Sequence, residues 1–324
     1  MGFYAVIQKK VLASLRSSNS VLQRMQERSL LMQAQILAAQ NHNKDSLGDL
    51  GDVEFSAFSQ WGEDGILDWL VAQLPMIPHT FIEFGVEDYC ESNTRALLLL
   101  HNWSGLVMDG SSSNINLIRQ QDIYWRHGLT ATCAFIDRDN INRLIQDGGL
   151  SEQIGILSID IDGNDYWVWK AIEVVSPAIV VVEYNAVLGD LHALTVPYRP
   201  DFQRTKAHLS NLYFGSSLPA LIALGCQKGY SFVGTTTTGC NAFFLRNNLA
   251  KRVVSRLNGS WAYPSKFREA RDMNNDLLFL DGLERTRIID SLPFIYTLTG
   301  ETVTLSQYSE LYSDAWRNGT KSLL

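Results

Sequence analysis

The chain has 324 residues, 46% of them hydrophobic and 19% charged, with a formal net charge of −7. That balance describes a soluble protein with a sizeable core, in one large α/β domain with additions or in two small domains. The acid excess repels polyanions and the lysines and arginines are scattered, which excludes nucleic acid as a main partner.

Residues 3–42 contain neither Pro nor Gly and are rich in Gln, Leu, Met and Ala. Apolar residues recur at Val11, Leu15, Leu22, Met25, Met32 and Ile36, a seven-residue rhythm interrupted by Ser18 and Ser29. The rhythm predicts an amphipathic helix over 1–46 with a coiled-coil-like seam. Such a helix either joins copies of the chain into a homo-oligomer or packs on its own domain. The polar break at 41–52 reads as a linker.

From about residue 54 to 250, short apolar runs alternate with helical segments. Strands are predicted at 81–86, 105–109, 130–136, 156–162, 178–184, 230–235 and 242–245, with helices at 92–101, 114–121, 140–146, 166–174 and 218–228. Apolar runs separated by helices indicate a parallel sheet covered on both faces. The short turn between the last two strands makes them an antiparallel hairpin. The expected fold is therefore α/β and Rossmann-like, a seven-stranded, mostly parallel sheet. Residues 251–324 carry amphipathic pieces and are expected to form a helical cap on the same domain. Cys90, Cys133, Cys226 and Cys240 lack any zinc or CxxC spacing and suit reduced thiols. No apolar run approaches the roughly 20 residues of a membrane helix. The first residues place positive charge after the apolar stretch, the wrong order for a secretory signal. A cytoplasmic location is the expectation.

In an open parallel sheet, ligands bind beyond the carboxyl ends of the strands. The first strand ends Phe81-Ile82-Glu83-Phe84-Gly85, where a glycine lets the backbone approach a ligand and an acid either orients the loop or meets a cationic amine. Glu87 and Asp88, in place of a GxGxxG, repel a pyrophosphate but tolerate a sulfonium and an ammonium group. The second strand ends at Asp109, whose two oxygens can accept from both hydroxyls of a ribose. The third ends at Asp137, placed to reach an adenine amino group or to cap the next helix.

This pattern resembles class I S-adenosylmethionine-dependent methyltransferases, and more narrowly the FkbM-type group, many of which methylate hydroxyls of sugars and natural products. The resemblance covers about residues 55–247. It is carried by Ser59-Gln60-Trp61-Gly62-Glu63-Asp64-Gly65, Phe81 to Gly85, Glu91-Ser92-Asn93-Thr94 and Ser158-Ile159-Asp160-Ile161-Asp162-Gly163. It implies that Glu83, Gly85 and Asn93 surround the methionine part of S-adenosylmethionine, Asp109 the ribose and Asp137 the adenine. Gln60, Glu63, Thr94, Gly110 and Ser111, beside these positions, complete the implied cofactor set. The chain departs from the group in lacking a second glycine after strand one, and in having Asp-Ile-Asp-Gly where Asp-Val-Glu-Gly is usual.

The acceptor side centres on Asp160 and Asp162, which share a face if the strand continues through them, and on Glu183 and Asn185 at the next strand tip. Asp160, Glu183 and Asn185 are the expected ligands of a hard divalent ion such as Mg²⁺, with Asp162 beside them as a catalytic acid. The layout is similar to that of catechol O-methyltransferase-like enzymes. Without a metal, a carboxylate or a histidine, His192 or His208, serves as general base. The long segment 189–215 is the expected lid over a small-molecule or glycan acceptor, with Tyr198 and Tyr213 offering flat surfaces. Three rival functions remain. One is a glycosyltransferase using Asp160-Ile161-Asp162 as a DxD, another is a scaffolding module working through its N-terminal helix, and the third is an NAD enzyme, weakened by the missing GxGxxG.

Overall fold

The computed structural model describes residues 3–150 and 152–324. Seven strands form the central sheet: β1 (Thr80–Phe84), β2 (Ser104–Asp109), β3 (Leu129–Cys133), β4 (Glu152–Ile159), β5 (Val175–Glu183), β6 (Tyr230–Thr235) and β7 (Asn241–Arg246). Their spatial order is β3-β2-β1-β4-β5-β7-β6. The first five pair in parallel, while β7 runs antiparallel between β5 and β6. The sheet is thus Rossmann-like and mostly parallel, closed by an antiparallel hairpin, as the spacing predicts. The order reverses between β1 and β4, so the crevice lies beyond their tips.

Helices cover both faces: α1 (Phe3–His42), α2 (Glu63–Gln73), α3 (Arg95–His101), α4 (Ser112–Gln120), α5 (Ile141–Asp147), α6 (Asp165–Ala171) and α7 (Leu218–Gln227). Alternate residues of β1 serve the two cores. Phe81 packs with Trp69, Leu97 and Val107, whereas Ile82 and Phe84 pack with Met108, Ile141 and Trp169. Residues 178–182 of β5 are all buried, which is why that strand reads as an unbroken apolar run.

Several predicted ends move. The fourth strand stops at Ile159, not at 162, and the third stops at Cys133, not at 136. The helix predicted from 92 begins at Arg95 because Ser92 to Thr94 are tied to Glu83. The C-terminal segment departs from the expected helical cap. It contributes Phe294–Tyr296 and Glu301–Val303 to a three-stranded sheet with Leu194–Thr195, and pairs Ser322–Leu323 with Trp261–Ala262. No described helix is long and apolar enough to cross a membrane.

Helix α1 packs on the domain. Ala34, Ala38 and Asn41 are buried, and Glu27 and Leu31 are half-buried on the same side. Asn41 Nδ2 donates to the Val53 carbonyl at 2.8 Å, His42 meets Asp68 of α2 at 2.6 Å, and Glu27 pairs with Arg95 of α3 at 2.7 Å. The small side chains of Ala34 and Ala38 permit the close approach. We expect Ala34→Leu to overpack this contact and lower stability by about 1–3 kcal/mol, read as a lower urea midpoint. Met32→Leu on the exposed side should stay within about 0.5 kcal/mol of the parent.

Candidate functional site at the strand tips

The centre of the site is made of backbone. Gly85, with φ of 71°, directly follows β1, and a Cβ there would lie 1.6 Å from the carbonyl oxygen of Asp160, just past β4. The Gly85 N–H donates to the Met108 carbonyl at 3.0 Å. Only glycine permits both this conformation and this approach.

Glu83 is 4% exposed. It accepts from the N–H groups of Asn93 at 2.8 Å and Thr94 at 3.0 Å, and from the hydroxyls of Ser92 and Thr94. Burial raises its pKa, and these donors oppose the rise. Of the two roles open to this acid in sequence, the structure favours orienting the loop. Asn93 in turn donates to Ser158 Oγ at 3.0 Å. Glu63 is likewise buried and accepts from Trp61 N–H at 3.0 Å, Gly62 N–H at 2.9 Å and Asn241 Nδ2 at 2.7 Å. Asp64 gathers the N–H groups of Ala57, Phe58 and Ser59, with burial lifting its pKa to about 6. Gln60, Glu63, Glu83, Gly85 and Asn93 together line a cavity of about 200 Å³.

A larger cavity of about 490 Å³ opens beside it, lined by Gly85, Asp109, Gly110, Phe135, Asp160 and Arg204 among others. Asp109 accepts from the Glu87 N–H at 2.9 Å, the Ser111 N–H at 2.7 Å and Asn114 Nδ2 at 3.1 Å. Three expected cofactor residues, Thr94, Ser111 and Asp137, line neither cavity, Thr94 being fully buried against Glu83 and Tyr89. Ser111 caps α4, its hydroxyl accepting from Asn114 N–H at 3.3 Å. Asp137 accepts from the N–H groups of Asp139 and Asn140, each at 2.8 Å, and so serves the turn before α5. Phe135, 46% exposed, faces the cavity from that strand tip instead. An apolar aromatic at a strand tip, left uncovered by any predicted helix, was the available sequence signal.

The acceptor side is rearranged more. Carboxylate oxygens of Asp160, Asp165 and Glu183 all lie within 4.8 Å of one another. Because β4 ends at Ile159 and Asp162 takes a φ of 55°, the two-residue alternation fails, and Asp162 turns outward to Arg204 at 2.8 Å. Asp165, the first residue of α6, takes the place expected for Asp162. Its oxygens accept from Ile161 N–H at 2.8 Å and Gly163 N–H at 2.9 Å. Asn185 is fully committed to the chain around it. Its amide donates to the carbonyls of Leu212 at 2.9 Å and Phe214 at 3.0 Å, and its oxygen accepts from Val187 N–H at 3.0 Å. It therefore serves as a loop staple, its amide and its oxygen already partnered within the chain. His192 lines none of the cavities at the strand tips. Its Nε2 meets the Glu310 carbonyl at 2.8 Å and its ring lies 4.1 Å from that of Tyr308. The Tyr198 hydroxyl donates to Asp139 at 3.3 Å and the Tyr213 hydroxyl to the Pro293 carbonyl, both away from the cavities.

Arg204, which sequence reasoning missed, lies across the site. It donates to the Asn211 carbonyl at 2.7 Å, pairs with Asp162, approaches Glu269 at 3.6 Å and stacks 3.9 Å over Phe214. A third cavity of about 320 Å³ holds Trp61, Glu183, Arg204, Phe267 and Glu269, with the Trp61 and Phe267 rings 4.6 Å apart. All three cavities share Asp160 and Arg204. Burial, then Asp162 and Asp165, push Asp160 well above the usual carboxylate range; burial, then Asp160, Asp162 and Asp165, do the same to Glu183. Burial lifts Asp165 to about 6 against its two N–H donors. Burial works against the charge on Arg204, but Glu183 and Asp162 outweigh it and raise its pKa. Glu183 Oε2 has no hydrogen-bond partner among the described residues.

No protein-family model matches the chain, and no curated protein does. Among solved structures the chain is similar to the N-terminal domain of EvdMO1 in the presence of S-adenosylhomocysteine and D-fucose. The identity is 12%, over 68% of this chain and 95% of that one, with a TM-score of 0.38. It is also similar to an O-methyltransferase from Bacillus cereus in complex with S-adenosylhomocysteine, at 14% identity over 67% and 89% of the two chains, with a TM-score of 0.34. A third is TrmK of M. capricolum with the same product, at 8% identity over 55% and 67%, with a TM-score of 0.32. At these identities the chemistry of this chain has to be read from its own residues.

Two outcomes follow from the geometry. Gly85→Ala forces a side chain into the Asp160 carbonyl at positive φ, and should cost about 3 kcal/mol or more, measured by urea unfolding. Glu183 holds a proton in the folded chain over a pH range where the unfolded chain has released it, so its contribution falls as pH rises through the native value. Glu183→Gln removes that loss. In EDTA, its gain in urea midpoint should be larger at about pH 8 than at about pH 5; equal gains would contradict the assigned shift.

Proposed function

We propose that the chain is an S-adenosylmethionine-dependent methyltransferase acting on a hydroxyl of a sugar-like molecule or natural product. The observation that carries this reading is the set of joined, acid-lined cavities at the point where strand order reverses, with bare backbone at Gly85 and a carboxylate at Asp109. Glu87, Asp109, Asp160 and Asp162 line the cavity of about 490 Å³ with Arg204 as the one cation among its described lining residues, a field that favours a cationic ligand over a pyrophosphate. The volume is in the range of sites that enclose a ligand of this size.

Gly85, Asp109, Gly110 and Phe135 would hold the adenosyl end, and the turn at Asn93, fixed by Glu83, the amino-acid end. When bound, the cofactor supplies a methyl group on a positively charged sulfur. The protein's part is the proton. Asp160, pushed upward by burial and by Asp162 and Asp165, and Glu183, pushed upward by burial and by Asp160, Asp162 and Asp165, are the groups placed to take the proton of an acceptor hydroxyl. Asp160, Asp165 and Glu183 also fit a hard divalent ion, since all three offer oxygen and Glu183 keeps an unpartnered atom. Such an ion would lower the pKa of a bound hydroxyl. The Trp61–Phe267 wall and Arg204 would then border the acceptor. The glycosyltransferase alternative is weakened, because Asp162 pairs with Arg204 and the carboxylates that converge on Asp160 are those of Asp165 and Glu183.

The test is transfer of labelled methyl from S-adenosylmethionine to a panel of sugars and phenols, with and without EDTA. We expect S-adenosylhomocysteine, and not UDP, to raise the thermal midpoint. Asp109→Asn should weaken that binding about tenfold. Glu183→Gln should leave binding intact but slow transfer by about 10²–10⁴. Stabilisation by UDP alone would overturn the assignment; turnover unaffected by EDTA would remove only the ion.

A further inference from the structure

Helix α1 carries two apolar faces, and the domain uses one. Glu27, Leu31, Ala34, Ala38 and Asn41 form the docked face. Leu22, Met25, Met32 and Ile36 lie about 180° around the helix from it at 3.6 residues per turn, and they are 57%, 63%, 59% and 59% exposed. These four fall on the alternating three- and four-residue spacing of a coiled-coil seam, with Ser29 between them, and Val11 and Leu15 continue the spacing in sequence.

We infer that this outer face is a self-association surface, and that its occupant is the same helix of a second copy of the chain, in parallel. The flanking positions support an identical partner. With Leu22, Ser29 and Ile36 as one seam row and Met25 and Met32 as the other, the flanks are Gln26, Arg28, Gln33, Gln35 and Gln40. In parallel register Arg28 meets Gln33 of the second copy and Gln35 meets Gln40, so no like charges oppose one another. A row of acids or of bases in these positions would have barred pairing with itself. Docking on the domain leaves the seam free, because the two faces are on opposite sides of one helix. The same helix therefore anchors to its own domain through Asn41, His42 and Glu27 while presenting the seam outward.

Sedimentation equilibrium of the full chain, from low to high micromolar concentration, tests the inference. The expected result is a dimer that Met25→Glu/Met32→Glu converts to monomer with the thermal midpoint of the domain unchanged, while Met25→Leu/Met32→Leu stays dimeric. A full chain that is monomeric throughout would overturn the inference, as would a glutamate variant that stays dimeric. A monomer that instead floats with vesicles of anionic phospholipid would assign the seam to a membrane surface, and would equally overturn it.

Discussion

Where β1 and β4 leave the middle of the sheet, the chain turns so tightly that the carbonyl of Asp160 occupies the space a side chain at Gly85 would need. Three strand tips are tied together through that approach. The positive φ at Gly85 carries the chain to Glu87, whose N–H is held by Asp109 at the tip of β2. Gly85 itself donates to Met108 on the same strand. The floor of the cavities is consequently backbone, which cannot adopt alternative rotamers and which offers polar groups at fixed positions. Every other feature of the site is arranged around it.

The acids near this floor divide into two kinds. Glu63, Asp64 and Glu83 are deeply buried, yet each gathers two or more backbone N–H groups, which shape the turns at 57–62 and 92–94. Asp160 and Glu183 are crowded by protein and by the neighbouring carboxylates of Asp162 and Asp165 without a comparable set of donors. Burying a carboxylate without donors is unfavourable unless a proton or a cation compensates. Stability alone would not select such a pair, and in a cleft it is a candidate place for handling protons or cations. Arg204 moderates the repulsion from the rim, but its guanidinium is directed at Asp162 and Glu269.

The later parts of the chain complete the site from a distance. Arg204 comes from the long connection after β5. Phe267, Glu269 and Arg285 come from the segment beyond β7, and all reach the third cavity. That segment is held by contacts of its own, including the Thr286 and Tyr312 hydroxyls on the Val187 carbonyl and the Ser313 N–H and hydroxyl on Asp190. The connection and the C-terminal segment also share a small sheet through Leu194–Thr195 and Phe294–Tyr296. The wall of the third cavity therefore depends on pairing between segments about a hundred residues apart.

The sheet was legible in the sequence because its strands are buried on both faces, and burial writes itself into short runs of apolar residues whose direction follows from the length of the connections. Gly85 and Asp109 were legible for a related reason, as the residues that end those runs. The helix at 3–42 was legible too, but which of its faces meets the domain depends on Ala34 and Ala38 finding a complementary surface, a property of α2 and α3 as much as of α1. The acid cluster shows where local reasoning stops. A two-residue alternation joins Asp160 to Asp162, but β4 ends one residue before Asp160, and a left-handed turn at Asp162 brings in Asp165 instead. Asn185 and Asp137 carry the right atoms in the right places along the chain, yet nearby backbone N–H groups and carbonyls claim them first. Short-range periodicity determined the scaffold and the strand ends. Which side chains meet there was decided only in three dimensions, by where each strand stops and by which distant loop closes over it.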